Sequence, residues 1–142
     1  IDVTQNAALQ RLFIIGNLQV PDQALNTTGN PALFHLRIDG SGINSVDLSN
    51  NPLLTNVQLN NARLTSSVMD QVLIDLDNHG LLNGILQISN QQTGQSITFA
   101  SLIAYNNLIA KGWTIDVPAP AGQRPWIARR ARDCAVGRRR NL

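Results

Sequence analysis

The feature that most limits how this chain can fold is an internal repeat centred on residues 33–64, LFHLRIDGSGINSVDLSNNPLLTNVQLNNARL. Three segments align: NAALQRLFI from Asn6, NPALFHLRI from Asn30 and NPLLTNVQL from Asn51. Their apolar positions are Leu9, Leu12 and Ile14, then Leu33, Leu36 and Ile38, then Leu54, Val57 and Leu59, spaced 24 and then 21 residues apart. A half-period copy, Ile43, Val46 and Leu48, lies between the second and third. The unit L-x-x-L-x-L thus recurs every 10 or 11 residues inside a 21-residue period. An L-x-L alternation is a short strand with one buried face, and the leucine three positions earlier turns the chain inward at a corner. No copy can bury that face alone, so the copies must stack. Gly40, Gly42 and the run Asn50-Asn51-Pro52 supply the turns between strands.

Composition agrees with stacked strands rather than a helical bundle. Apolar residues make up 43% of 142, enough for one domain to offset its chain entropy. Aromatics are only 4%, so the core must be aliphatic. Charged residues are 14% with no glutamate, and Asn, Gln, Ser and Thr face the solvent instead. The net charge of +2 conceals a division within the chain. Residues 1–117 carry four basic residues against eight aspartates, giving −4, while residues 118–142 carry seven arginines against Asp133, giving +6. A single cysteine, Cys134, permits no intrachain disulfide. No apolar run approaches the roughly 20 residues of a membrane span. The chain begins at Ile1 rather than Met, as a processed product or a fragment would.

The segment INSVDLSNNPLLTNVQLNNARL resembles the leucine-rich repeat family, most closely its nested 21-residue bacterial class, in which L-x-x-L-x-L-x-x-N occurs twice per turn. The resemblance implies a solenoid of parallel strands and partner binding on the exposed strand surface. The family's asparagine after the strand, whose side chain bonds neighbouring turns, falls here on Asn17, Ser41, Asn51 and Ala62. That ladder is half filled, so irregular coils are expected. Three extra residues in the first repeat, around residues 19–29, suggest a bulging loop.

After Leu64 the period changes. Ser66 and Ser67 are candidate N-caps, and Ser67-x-x-Asp70 reads as a capping box. Val68, Val72, Leu73 and Leu76 form a helical stripe that Gly80 can end. Residues 84–89 read as a strand. A second helix is expected over residues 98–111 with Phe99, Leu102, Ile103 and Ile109 inward, then a strand over 113–117 with Trp113 in the core. These segments also look similar to the ends of repeat proteins of bacteria and their phages. Beyond Val117, three prolines and seven arginines with no apolar period predict a poorly ordered tail that contains Trp126.

Candidate chemistry is sparse. Alternation puts Arg11, Phe13 and Ile15, then His35, Arg37 and Asp39, then Asn56, Gln58 and Asn60 on one exposed face. Phe13, His35, Arg37, Asp39 and Gln58 are the candidate binding residues, the alternative being an ordinary solvated face. Gly40-Ser41-Gly42 near His35 lacks the G-x-S-x-G elbow, and Asp75 and Asp77, two apart on a helix, point to different faces. Two histidines and one cysteine lie far apart without zinc spacing, and residues 39–44 lack the acidic density of a calcium loop. No cofactor is implied. In the tail, Arg129, Arg130, Arg138, Arg139 and Arg140 are candidate contacts to nucleic acid, an anionic surface or a neighbouring chain. The plainer readings are a disordered end or an appended segment.

The expected fold is an α/β, β-rich solenoid: leucine-rich-repeat-like coils over 1–64, a helix–strand–helix–strand cap over 65–117, and the tail 118–142. The expected function is non-enzymatic, a protein- or glycan-binding module of a bacterial or phage surface protein at the cell surface or on a virion. The alternative is a structural domain of a larger particle that self-assembles through strands and tail.

Overall fold

A computed structural model describes residues 2–16, 21–92 and 94–118. It is a mixed α/β protein with two parallel sheets. The chain runs through β1 (Arg11–Ile15), β2 (Gln23–Asn26), β3 (His35–Asp39), β4 (Ile43–Asp47) and β5 (Asn56–Asn60). Helix α1 (Ser66–His79), strand β6 (Ile85–Ser89), helix α2 (Leu102–Ala110) and strand β7 (Thr114–Asp116) follow. The main sheet has the order β1-β3-β5-β6-β7, and β2 pairs with β4 in the smaller one. The chain therefore alternates between sheets until β5, after which helices replace the second-sheet strands.

The apolar period sets the register. Leu12, Leu36, Val57, Leu86 and Ile115 form one inward row across the main sheet, and Ile14, Ile38, Leu59 and Ile88 the next. The corner leucines Leu33 and Leu54 are fully buried, as are Ile43 and Leu48 beside the smaller sheet. Each such aliphatic side chain contributes roughly 1.5–3 kcal/mol. Burial is incomplete in β1, where Leu12 and Ile14 are only partly covered. Among the described residues β1 pairs only with β3, so its inward side chains have a neighbouring row on one side alone.

The asparagine ladder is continuous along one edge and replaced along the other. The Asn51 amide donates to the carbonyls of Thr27 and Asn30 at 2.9 Å each, and its Oδ1 accepts from the Thr27 hydroxyl at 2.8 Å. Asn30 repeats this one unit back, donating to Val3 and Asn6 at 2.8 Å. Along the opposite edge, Ser41 and Ala62 are small and buried. There Gln91 reaches the Leu59 and Ser89 carbonyls at 2.7 and 2.9 Å. Asn17 lies outside the described residues. Of the bulging loop expected around residues 19–29, residues 19 and 20 lie outside the described residues and Gln23–Asn26 form β2, with one register slip between Gln23 and Ala24 at which Asn44 of β4 is the extra residue.

The helical half departs from expectation at both N-termini. Thr65 caps α1, its hydroxyl accepting from the Val68 amide, because the Ser66 amide and hydroxyl are both taken by Gln95 Oε1. Asp70 does not close a capping box. It turns inward and accepts from the Thr98 amide at 2.8 Å, the Thr98 hydroxyl at 2.6 Å and the Ser101 hydroxyl at 2.6 Å. Those bonds correct the second helix as well, which splits into a 3-10 turn, Phe99–Ser101, and α2. With Ser101 held against α1, the inward positions become Ser101, Ala104, Tyr105 and Leu108. Phe99 and Ile103 face outward, 63% and 77% exposed, and Leu102 and Ile109 are only partly covered. Gly80 ends α1 at φ 74°, donating to the Asp77 carbonyl. Trp113 is buried, donates to the Leu81 carbonyl at 2.7 Å and lies against Gly84, where a Cβ would sit 2.5 Å from the ring. Among the described residues no helix is long and apolar enough to cross a membrane.

Candidate functional site

The outward rows of the main sheet bring the candidate residues together because the strands run in phase. One row holds Arg11, His35, Asn56 and Ile85, the next Phe13, Arg37, Gln58 and Gln87, the third Ile15, Asp39, Asn60 and Ser89. Phe13, His35, Arg37, Asp39 and Gln58 thus share one face. The candidate tail contacts Arg129, Arg130, Arg138, Arg139 and Arg140, and also Trp126, lie outside the described residues.

At the β1 end the face is aromatic and cationic. The Phe13 and His35 rings meet edge to face, centroids 4.7 Å apart and planes at 74°. The Arg11 guanidinium stands 5.2 Å from the centre of the Phe34 ring. Phe13 is 53% and Ile15 71% exposed, so apolar area adjoins the charges. Burial, reinforced by Arg11 and Arg37, holds the His35 imidazole below its usual pKa, which keeps the ring neutral at pH 7. Arg37 reaches Asp39 through Nη2 at 3.4 Å, a long contact, whereas Asn61 donates to the same carboxylate at 2.8 Å. The Asn61 bond is the main reason the Asp39 pKa is lowered, with Arg37 adding to it. Further along, the Ser89 hydroxyl donates to Asn60 at 2.7 Å. Three polar atoms here are buried without a partner among the described residues: His35 Nε2, Arg37 Nε and Asn56 Oδ1.

Sequence reasoning did not single out Arg11, Phe34, Asn56 or Asn61 as site residues. Asn56 was recoverable, since the 21-residue period places it beside His35. Phe34 and Asn61 lie just outside their strands, where the alternation gives no direction. His35 and Asp39 share a strand, and Asp39 is engaged by Asn61 and Arg37.

A second concavity of about 320 Å³ lies between β4 and α1, lined by residues that include Ser45, Asp47, Ser67, Gln71 and Asp75. Its two carboxylates are satisfied by their own neighbours, Asp47 by the Ser49 amide and hydroxyl and Asp75 by the Gln71 amide at 2.9 Å. Asp77, by contrast, faces Lys111 and Asn107. Among the described residues no group of three His, Cys, Asp or Glu could hold a metal ion.

Burial, with a smaller contribution from Asp47, raises the Asp75 pKa above the ordinary carboxylate value. A carboxyl raised on folding stabilises below its unfolded pKa and loses that contribution as pH rises through the folded one. Asp75→Asn keeps an acceptor for Gln71 and removes the charge. It is expected to stabilise the protein at pH 7 by about 0.5–2 kcal/mol, the range reached by single optimising substitutions. The gain should shrink towards pH 4 in urea denaturation series at the two pH values. A gain of equal size at both would contradict the assignment.

The chain matches no protein-family model, no curated protein and no solved structure.

Proposed function

We propose that the chain is a short leucine-rich-repeat-like solenoid whose main-sheet face is a non-catalytic recognition surface for a protein or glycan partner. The resemblance of its repeat to the nested bacterial class supports a module of a bacterial or phage surface protein. The observation that carries the reading is the cluster at the β1 end of the face. Phe13, His35 and Arg37 adjoin one another there, with half of Phe13 exposed and polar atoms of His35 and Arg37 unpaired. Solvated faces satisfy their polar groups in water and expose large apolar groups singly. Interfaces gather aromatic residues and arginine with unused bonding capacity.

The test is capture by the full chain of glycans on an array and of proteins from candidate host surfaces. Replacing Phe13 with Ala and Arg37 with Gln together is expected to weaken capture at least 30-fold, the loss of two anchors of about 1–2 kcal/mol each. Ile103→Ala, on the exposed side of α2, should leave it intact. Capture that survives the double substitution in a folded protein would falsify the assignment of this face.

A further inference from the structure

The same cluster carries information about the chemistry of what binds, and the inference below rests on the recognition reading just given. The three atoms without a partner among the described residues belong to side chains that are only partly buried, so rotations can open them to an incoming group. Arg37 Nε is a donor, and with a neighbouring Nη it forms the side-on fork that fits a carboxylate. Among the described residues the acid paired with Arg37 is Asp39, held through one long Nη2 contact and bound more closely by Asn61. Arg11 adds a second cation beside His35, in a chain whose residues 1–117 are otherwise acidic. Asn56 Oδ1 is an acceptor and takes a hydroxyl. Phe13 offers an exposed ring and Ile15 an apolar wall.

Beyond this corner the face is lined mainly by uncharged polar groups, Asn56, Gln58, Asn60, Gln87 and Ser89, with Ile85 in the first row and Asp116 at the far edge. A protein partner is best served by clustered, desolvated apolar anchors, and here only Phe13 and Ile15 cluster, with Ile85 standing singly at the other end of the face. Rows of amides suit a polyhydroxylated chain. We propose that the face binds an acidic saccharide of the uronate class, with Arg37 and His35 receiving its carboxylate, Asn56 and Gln58 its hydroxyls, and Phe13 its sugar ring. The site is a binding site with no covalent step.

The groups facing His35 set the pH dependence. Arg11 comes from β1, Arg37 and Asp39 from β3, and β5 contributes only Asn56, Gln58 and Asn60. In the free protein burial, and then the Arg11 and Arg37 cations, oppose protonation of the ring. A bound carboxylate favours it, so affinity rises as pH falls towards 5.5 while the uronate stays ionised.

The experiment titrates the full chain with tetragalacturonate, its methyl ester and tetra-aspartate at constant ionic strength. The imidazole signals are followed by NMR. The chain holds two histidines, His35 and His79, so one His35→Gln spectrum assigns both. Tetragalacturonate is expected to move the His35 signal saturably and raise its titration midpoint by about half to one pH unit, leaving His79 in place. The ester should bind at least tenfold more weakly, and Arg37→Gln should weaken the acid about tenfold or more without changing the ester. Equal binding of acid and ester, or tighter binding of tetra-aspartate, overturns the uronate inference and leaves the recognition face standing. No movement of His35 with tetragalacturonate also overturns it, and the double-substitution capture assay then judges the face separately.

Discussion

Asn51→Ala is expected to destabilise the protein by roughly 3 kcal/mol. The side chain is fully buried and makes three bonds, two to main-chain carbonyls and one from the Thr27 hydroxyl. Truncation removes all three bonds, but the Thr27 and Asn30 carbonyls keep the Asn30 and Leu33 amides and the Thr27 hydroxyl keeps the Asp47 carbonyl, so the cost is that of three hydrogen bonds at about 0.5–1.5 kcal/mol each. Partial relaxation keeps the sum below the additive figure. For a domain of this size, with total stability of about 5–15 kcal/mol, that loss lowers the melting temperature by roughly 10 °C. The adjacent Asn50→Ala, at an exposed position, should change stability by no more than about 0.5 kcal/mol. Thermal and urea denaturation of the two variants compares them directly. A loss below about 1 kcal/mol for Asn51→Ala would mean the ladder does not hold the units together.

Asp70→Ala should cost about 3 kcal/mol and act locally. Its carboxylate gathers the Thr98 amide, the Thr98 hydroxyl and the Ser101 hydroxyl, charge-assisted bonds of the stronger kind. They tie α1 to the start of α2 and determine which side of α2 turns inward. Without them Ser101 has no reason to be buried, and the apolar Leu102 and Ile103 compete for its place. Hydrogen exchange should therefore quicken across residues 98–110 while β3 and β5 keep their protection. Asp70→Asn retains an acceptor and should recover part of the loss. Uniformly faster exchange throughout the protein would show that Asp70 supports the whole fold rather than this junction.

These two residues also mark where the sequence was readable and where it was not. The strands, their inward rows and the outward grouping of Phe13, His35 and Arg37 follow from a period of two nested in a period of 21, and every row is apolar enough to be recognised. Gly80 and Trp113 could be placed for the same reason, since each has one dominant physical role. Asp70 could not. A serine followed three residues later by an aspartate fits a local cap, and the partners that draw it inward lie 28 and 31 residues away. The direction of α2 was misread in consequence: four apolar residues, Phe99, Leu102, Ile103 and Ile109, outweighed a serine, an alanine and a tyrosine. The buried hydroxyl of Ser101 decided the matter, and hydropathy alone does not register it. Asn30 is a similar case, invisible until its unit is laid against the one before.

The bonds that join one unit to the next span modest stretches of sequence: 24 residues from Thr27 to Asn51, 21 from Asn30 to Asn51, 29 from Asn60 to Ser89. Arg63 also reaches Asp22 across 41 residues, two units back; on the solenoid reading there is still no closing contact to dictate how many units are stacked. Duplicating or deleting a whole 21-residue period between Asn30 and Asn51 would leave every row in phase, lengthening or shortening the exposed face by one strand. Inserting a single residue before Val57 would instead turn Val57 and Leu59 to the outside. On the solenoid reading, chain length is thus adjustable in whole steps and intolerant of fractions, and the reach of the face can change while its corner chemistry is retained.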